Sequence, residues 1–281
     1  FQQWNMRHVT THTNASHLFG LNKIFLFVFA LIKLVWFLAF YHVGVIHIHI
    51  ASRGSYKRKS LIIRLAKLFN AKAILHLHGA EFQEFYNNEC SPNKQQHIRN
   101  TFDLADAVIV LSTQWYSWMT TIVSDPTKVH VVYNAVETLE LNRNNVEQGR
   151  ILFLGRLGER KGVKDLINAF AIVVKKHPHA HLTLGGDGDI DTFKQHVERL
   201  GISDNVDFLG WVAGEQKNLW LSKADVYCLP SYNEGFPMGV LEAMSANIPV
   251  VASTAGGIPD AIKDGVDGLL IEAGDVEKLA A

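Results

Sequence analysis

The stretch Glu234-Gly-Phe-Pro-Met-Gly-Val-Leu-Glu242 sets two carboxylates around a short loop that opens a helix. An apolar run, Val226-Tyr-Cys-Leu-Pro230, precedes it, and a helical pattern continues to about Asn247. Pro237 suits the first helical turn, where its missing N–H removes no bond. The free N–H groups and the dipole of that helix end favour an anion such as a diphosphate. Glu234 lies before this end and Glu242 more than a turn inside it. Acids beside a phosphate cradle make sense as acceptors for hydroxyls, and sugar hydroxyls are the obvious ones. The same spacing also fits a solvated loop acid beside an unrelated surface helix acid.

Two further strand ends in this half of the chain favour anions. Gly155-Arg-Leu-Gly-Glu-Arg-Lys-Gly162 fails the Walker pattern, since Arg160 and Gly162 stand at the required Gly and Ser/Thr positions. Arg156 and Lys161 can still clamp a diphosphate, Arg as a planar fork and Lys as a point charge; the alternative is a solvated basic turn. Gly256-Gly257 before Ile258-Pro259-Asp260 is another Gly-rich turn that opens a helix. Gly185-Gly-Asp-Gly-Asp-Ile-Asp191 resembles a calcium loop in Asp187, Asp189, Asp191 and Glu198. Thr192 replaces the invariant Gly, however, and residues 191–200 read as helix. The acids there are expected to cap a helix start, and no metal is expected.

Alternating strands and helices must position these ends. In the second half, strands are expected at 151–155, 181–184, 206–209, 226–229 and 249–252, with helices between them. In the first half, residues 7–12 read as a short strand, followed by strands at 45–50, 73–78, 107–111 and 129–133 and a helix at 60–69. Continuous apolar strands separated by helices argue for parallel sheets covered on both faces, with ligands outside the carboxyl ends of the strands. The polar, Asn-rich 135–150 reads as a linker between a first domain, 1–134, and a second, 151–281. The fold class is α/β: two doubly wound, Rossmann-like domains facing across a cleft. In the first domain the strand-end rule singles out Arg53 and Arg58 in 51–58, and His78-Gly79-Ala80-Glu81. His47 and His49 share one strand face, as do His76 and His78. Four imidazoles suit zinc, but no Cys or acidic ligand joins them at tight spacing, and no metal is expected here either.

Composition narrows the partners. Lys plus Arg equals Asp plus Glu at 27 each, so no global field favours nucleic acid. Only Cys90 and Cys228 occur, far apart, which fits a reducing, cytoplasmic compartment better than a disulfide framework. The chain opens on Phe1-Gln-Gln-Trp-Asn5 without Met or a basic leader and stops at Leu279-Ala-Ala281 in an apparent helix, so it is expected to be a fragment. Residues 18–41 are nearly all apolar and approach the ~20 residues of a membrane span. Lys33 near the middle and a strand pattern directly afterwards favour a helix packed on a sheet. One face of that helix resting on the inner surface of the cell membrane, beside the basic Lys57-Arg-Lys59, is the peripheral alternative.

The sequence resembles the retaining glycosyltransferases of family 4, which have the GT-B fold. The resemblance is carried by Gly155-Arg156-Leu157 with Lys161-Gly162, Gly185-Gly-Asp-Gly188, Asn205-Val-Asp-Phe-Leu-Gly210, Pro230-Ser231, Glu234 through Met244, Pro249-Val-Val-Ala252 and Gly256-Gly257. In the first half it is carried by Ala105-Asp-Ala-Val-Ile-Val-Leu-Ser112, Val132-Tyr-Asn-Ala135 and His78-Gly-Ala-Glu-Phe82, the last similar to a branch that assembles cell-surface polysaccharide. The resemblance implies transfer of a hexosyl group, with retention, from a nucleotide-diphosphate sugar to a glycan or lipid-linked acceptor, without metal or other cofactor. It assigns Glu242 to the ribose and Glu234 to the donor sugar, with Gly235, Phe236, Pro237 and Met238 meeting sugar and phosphate through their backbone. Arg156 and Lys161 would neutralise the leaving diphosphate. His78 would lie over the reacting sugar, and Phe208 and Leu209 beside the base. Arg53, Arg58 and Glu81 are acceptor-side candidates. The family's first strand, Gly-rich loop and final helix have no counterpart here, so the first domain is expected to be incomplete. Asn134-Ala135 replaces the commoner Asn-Gly. Non-catalytic nucleotide-sugar binding, or a phosphorylase or epimerase on the same plan, are the competing readings.

Overall fold

The computed structural model describes residues 6–11 and 20–281, with the side chains of 20–23 set aside. The described residues divide into one unit within 1–110 and 116–131 and a second formed by 111–115 and 132–281.

The first unit contains α1 (Gly20–Phe40), β1 (Val45–Ile50), α2 (Arg53–Leu68), β2 (Lys72–Leu77), α3 (Phe82–Asn88), α4 (Pro92–Asp103), β3 (Ala107–Val110) and β4 (Val129–Val131). The division between units falls inside α5 (Thr113–Met119). The strands form a parallel sheet in the order β1-β2-β3-β4, with Ile48 beside Leu75 and Val108 beside Val129. The core face is aliphatic and aromatic: Ile48, Ile50, Leu75, Leu77, Val108 and Val110 are buried with Ile63, Phe82, Phe85 and Phe102. From Ile46 onward β1 is apolar at every second residue, and Ile48 and Ile50 are buried while His47 and His49 are exposed. α1 begins two residues inside the expected 18–41, and 18 and 19 lie outside the described residues. Among the described residues, no helix is long and apolar enough to cross a membrane. Ile24, Phe25, Val28, Phe29, Ile32, Trp36 and Phe40 nonetheless form an exposed apolar stripe at helical spacing.

The strand expected at 7–12 does not form among its described residues, and His12 lies outside them. The Arg7 guanidinium instead lies 4.5 Å from the Tyr41 ring, and Thr11 accepts from Lys59 Nζ at 2.5 Å. Side-chain anchoring replaces the backbone ladder.

The second unit contains β5 (Arg150–Leu154), α6 (Val163–Lys176), β6 (His181–Gly185), α7 (Ile190–Leu200), β7 (Val206–Gly210), α8 (Gly214–Lys223), β8 (Val226–Leu229), α9 (Met238–Ser245), β9 (Val250–Ser253), α10 (Ile258–Ala261), β10 (Leu269–Ile271) and α11 (Val276–Ala280). The sheet is parallel, in the order β10-β9-β8-β5-β6-β7, so strand order reverses between β5 and β8. Such a switch point opens a crevice outside the strands' carboxyl ends. β10 was not expected from the sequence: three residues, Leu269-Leu-Ile271, carry too short a pattern to distinguish a strand. Phe153, Phe170, Leu182, Leu184, Tyr227 and Val240 are fully or almost fully buried between the sheet and its helices.

The stretch 135–150 is a strap on the second unit rather than a free connection. Leu139 N–H donates to Ser245 Oγ at 2.8 Å, Glu147 N–H to Lys223 O at 2.9 Å, and Arg143 to Ala224 O at 2.9 Å. Leu139 and Leu141 pack on the core. Its polarity satisfies helix ends and backbone groups, which is why it lacks periodicity.

Candidate donor site

Two loops meet at the switch point, one after β5 and one after β8. They approach closely because glycine stands where a side chain would collide. Gly162 has φ +67°, and a Cβ there would lie 2.1 Å from Pro230 O. Hydrogen bonds join the loops on either side: Tyr232 N–H to Arg160 O and Arg160 to Asn233 O, both 2.8 Å. The Tyr232 hydroxyl donates to Asp165 Oδ2 at 2.7 Å.

The Gly185–Gly188 stretch serves the same loop from β6. Leu157 N–H donates to Asp187 O at 2.6 Å, and Asp189 N–H to Leu157 O at 3.1 Å. A Cβ on Gly186 would sit 1.8 Å from Gly155 O. Backbone packing therefore accounts for these glycines. Asp189 does stand at the start of α7, but its side chain makes no capping bond, contrary to expectation.

Glu234 is buried, at 5% exposure. Its Oε1 accepts from Lys161 Nζ at 2.5 Å and from Ser231 Oγ at 2.7 Å. Trp115 Nε1–H holds its carbonyl at 3.0 Å. Gly256, at φ +60°, would bring a Cβ to 1.9 Å from that carbonyl, and Gly257 N–H donates to Gly235 O at 2.8 Å. Gly256-Gly257 thus pins the Glu234 loop. Asn134 Nδ2–H donates to Phe236 O at 2.8 Å, and the Tyr133 ring lies 4.9 Å from that of Phe236. Phe236 and Pro237 are buried, while Met238 is exposed.

Pro237 occupies the N-cap of α9 rather than its first turn, and no side chain caps this end. The first amides of α9 therefore face outward as anion donors. Gly239 lets the helix rest on the Tyr227 hydroxyl, which donates to Leu154 O at 3.2 Å; a Cβ would lie 2.2 Å from that oxygen. One turn on, Glu242 Oε1 accepts from Lys217 Nζ at 2.6 Å. In both acids Oε2 makes no protein hydrogen bond among the described residues. Two fixed carboxylates each retain an acceptor oxygen, which suits hydroxyl recognition.

Arg156 is exposed and makes no ion pair among the described residues, whereas Lys161 is tied to Glu234. One cation is open to an anion and the other has two further donors. At the end of β7, a bulge sets Gly185 opposite Gly210 rather than Leu209. Phe208 packs against the core, with Lys194 Nζ 5.9 Å from its ring. Trp115 and Lys217 were not foreseen. Trp115 lies far off in sequence, and nothing in the spacing of α8 marks Lys217 as facing Glu242.

The remaining candidates belong to the first unit and form two groups there. Arg53 donates to Glu81 at 2.9 Å and to Glu89 at 2.5 Å, so neither Arg53 nor Glu81 is a free charge. Arg58 Nε is buried without a partner among the described residues. His78 Nε2 lies 2.7 Å from His49 Nδ1. Burial, then the neighbouring His49 and His47, push the His78 pKa down to about 4, so the ring is neutral near pH 7. Gly79 lets the chain turn against Ala51, 3.0 Å from where a Cβ would stand.

Residues 137–281 match the family described as Glycosyl transferases group 1. The uncharacterized glycosyltransferase MJ1607 of Methanocaldococcus jannaschii is 33% identical over 169 residues, covering 54% of this chain and 43% of its own. The amylovoran biosynthesis glycosyltransferase AmsK of Erwinia amylovora is 28% identical over 245 residues, covering 83% of this chain and 59% of its own. The chain thus spans about half the length of these relatives. Among solved structures, Anabaena HepE in complex with UDP superposes with TM-score 0.75 at 23% identity, covering 89% of this chain and 70% of that one. Sucrose-phosphate synthase from Thermosynechococcus elongatus gives TM-score 0.74 at 22% identity, covering 92% and 67%. The fold is that of the GT-B glycosyltransferases, with two parallel-sheet units. The family match covers just over half of the chain and includes Arg156, Lys161, Glu234 and Glu242. The chain belongs to the group 1 glycosyl transferases.

Proposed function

We propose that the second unit binds a nucleotide-diphosphate sugar and that the whole protein transfers its hexosyl group, with retention, to a glycan or lipid-linked acceptor in cell-surface polysaccharide synthesis. The observation that carries this reading is the pair of anchored acids at the switch point: Glu234 held by Lys161 and Ser231, and Glu242 held by Lys217. Glu234 accepts from donor-sugar hydroxyls and Glu242 from the ribose, each through its remaining oxygen. The α9 amides, Arg156 and the spare donors of Lys161 meet the diphosphate. These fixed donors stabilise charge on the β-phosphate oxygen as its bond to the anomeric carbon breaks. The acceptor hydroxyl oxygen forms the new bond to the anomeric carbon, and its proton passes to the departing diphosphate oxygen. UDP-glucose bound by Anabaena HepE and the place of AmsK in amylovoran biosynthesis support the donor and polysaccharide assignments.

His78, Arg53, Arg58 and Glu81 are proposed on resemblance to act on the sugar and acceptor side. The reading puts the protein in the cytoplasm, without a cofactor. The exposed apolar stripe of α1 supports contact with the inner surface of the cell membrane. Co-sedimentation with anionic vesicles tests that contact, and recovery of all protein in the supernatant counts against it. Calorimetry with uridine and guanosine diphosphates, followed by product analysis with nucleotide sugars, tests the main reading. Binding without product in the intact protein points to a non-catalytic binder. A requirement for free phosphate points to a phosphorylase.

A further inference from the structure

β1 and β2 run parallel with His49 opposite His76 in register, so His47, His49, His76 and His78 fall on one face of the sheet. Their rings stack, with centroids 4.7 Å apart for His47 and His49, 5.2 Å for His47 and His76, and 5.3 Å for His49 and His76. His47 Nε2 lies 3.1 Å from His76 Nδ1, a contact that one shared proton bridges. The other ring nitrogen of His76, Nε2, is buried and has no partner among the described residues. Buried polar nitrogens are rarely left unpaired, and an orphan inside an imidazole cluster points to something that fills the role of partner. One nitrogen from each of His47, His49 and His76 lies within 4.8 Å of the others.

We propose that His47, His49 and His76 form a binding site for a divalent transition-metal ion of the zinc, cobalt or nickel class. Nitrogens bound to zinc at about 2.0–2.1 Å with tetrahedral angles stand about 3.3 Å apart. The donor nitrogens lie within 4.8 Å of one another, and ring rotation that turns the orphaned Nε2 of His76 towards His47 and His49 brings the three to that spacing. Imidazole-only donors suit these ions, and three of them leave a fourth position to water. His47 and His49 are exposed, so water reaches the cluster from the open face. Two rigid neighbouring strands hold the donors, which keeps the cost of ordering them low. His78 remains hydrogen-bonded to His49, so a metal on His49 fixes which nitrogen of His78 carries its proton.

The untagged chain, stripped of metal with chelator, is titrated with Zn²⁺ by calorimetry and with Co²⁺ by visible absorption. The expected result is one ion per chain and cobalt bands of a low-symmetry nitrogen site. His47→Ala and His76→Ala each weaken binding by roughly tenfold or more. His179→Ala, an exposed histidine in the second unit, leaves it unchanged. His47 is exposed, so His47→Ala is expected to keep the wild-type circular dichroism spectrum and carries the test if His76→Ala misfolds. Absence of saturable binding of either ion, or undiminished binding in a folded His47→Ala, overturns the proposal.

Discussion

The strand ends of the second unit and the histidine face of the first place polar chemistry on parallel sheets in opposite ways. Around Glu234 each carboxylate has a cation, and the loop carbonyls have donors, with glycines allowing the backbone to close in. On β1 and β2, four imidazoles stack on one another, and burial keeps His76 and His78 well below the ordinary histidine range. The first arrangement is built around fixed charge and the second around neutral nitrogen donors. The proposed diphosphate site has its charge compensated before any ligand arrives, whereas a buried lone carboxylate would repel one.

The largest effect should come from breaking that compensation. Lys161→Ala leaves Glu234 buried without its cation and is expected to lower stability by about 3–5 kcal/mol in denaturant unfolding. The double variant Lys161→Met/Glu234→Gln should recover most of that loss without recovering nucleotide-sugar binding. Burial of the pair makes Glu234→Gln a cleaner probe than alanine at either position. Gly256→Ala follows, at about 2–3 kcal/mol, since it combines overpacking against the Glu234 carbonyl with a left-handed backbone.

Glu242→Ala should weaken nucleotide binding by about tenfold, about 1.4 kcal/mol, with little change in stability. In the first unit the corresponding charge change should matter far less. Arg53 pairs with Glu81 and Glu89 at the surface, so Arg53→Gln should shift stability by less than about 1 kcal/mol. Asp106 offers a pH test. Burial alone would raise its pKa, but donation from Lys67, Lys72 and the Ala73 N–H brings it from an ordinary 3.8 to about 2. A depressed folded-state value means that this stabilisation is complete above about pH 4 and fades as pH falls towards 2. Asp106→Asn should therefore flatten the acid side of the thermal-stability profile.

The contrast between the two regions was only partly legible in the sequence. Glu234, Glu242, Lys161 and the Gly-rich turns could be picked out because strand-end glycines and helix starts have local signatures. That Lys161 binds Glu234 rather than standing free was not legible, because the contact joins two strand ends 73 residues apart. The same holds for Lys217 and Trp115. Residues 7–11 failed in the other direction: their alternation imitates a strand, yet a strand also needs backbone pairing, and side-chain contacts of Arg7 and Thr11 hold this segment instead. Parity put His47 with His49 and His76 with His78, but that the two pairs share one face, with His49 beside His76, appears only once β1 and β2 are paired.

The central claim is that the anchored acids at the β5–β8 switch point hold a nucleotide diphosphate and its sugar. Calorimetric titration of the chain with uridine, guanosine and adenosine diphosphates, on wild type and Glu242→Ala, tests it most directly. The account predicts one saturable site for at least one of the three, weakened about tenfold in the variant at unchanged melting temperature. No binding of any of them, or equal binding by both proteins, would contradict it.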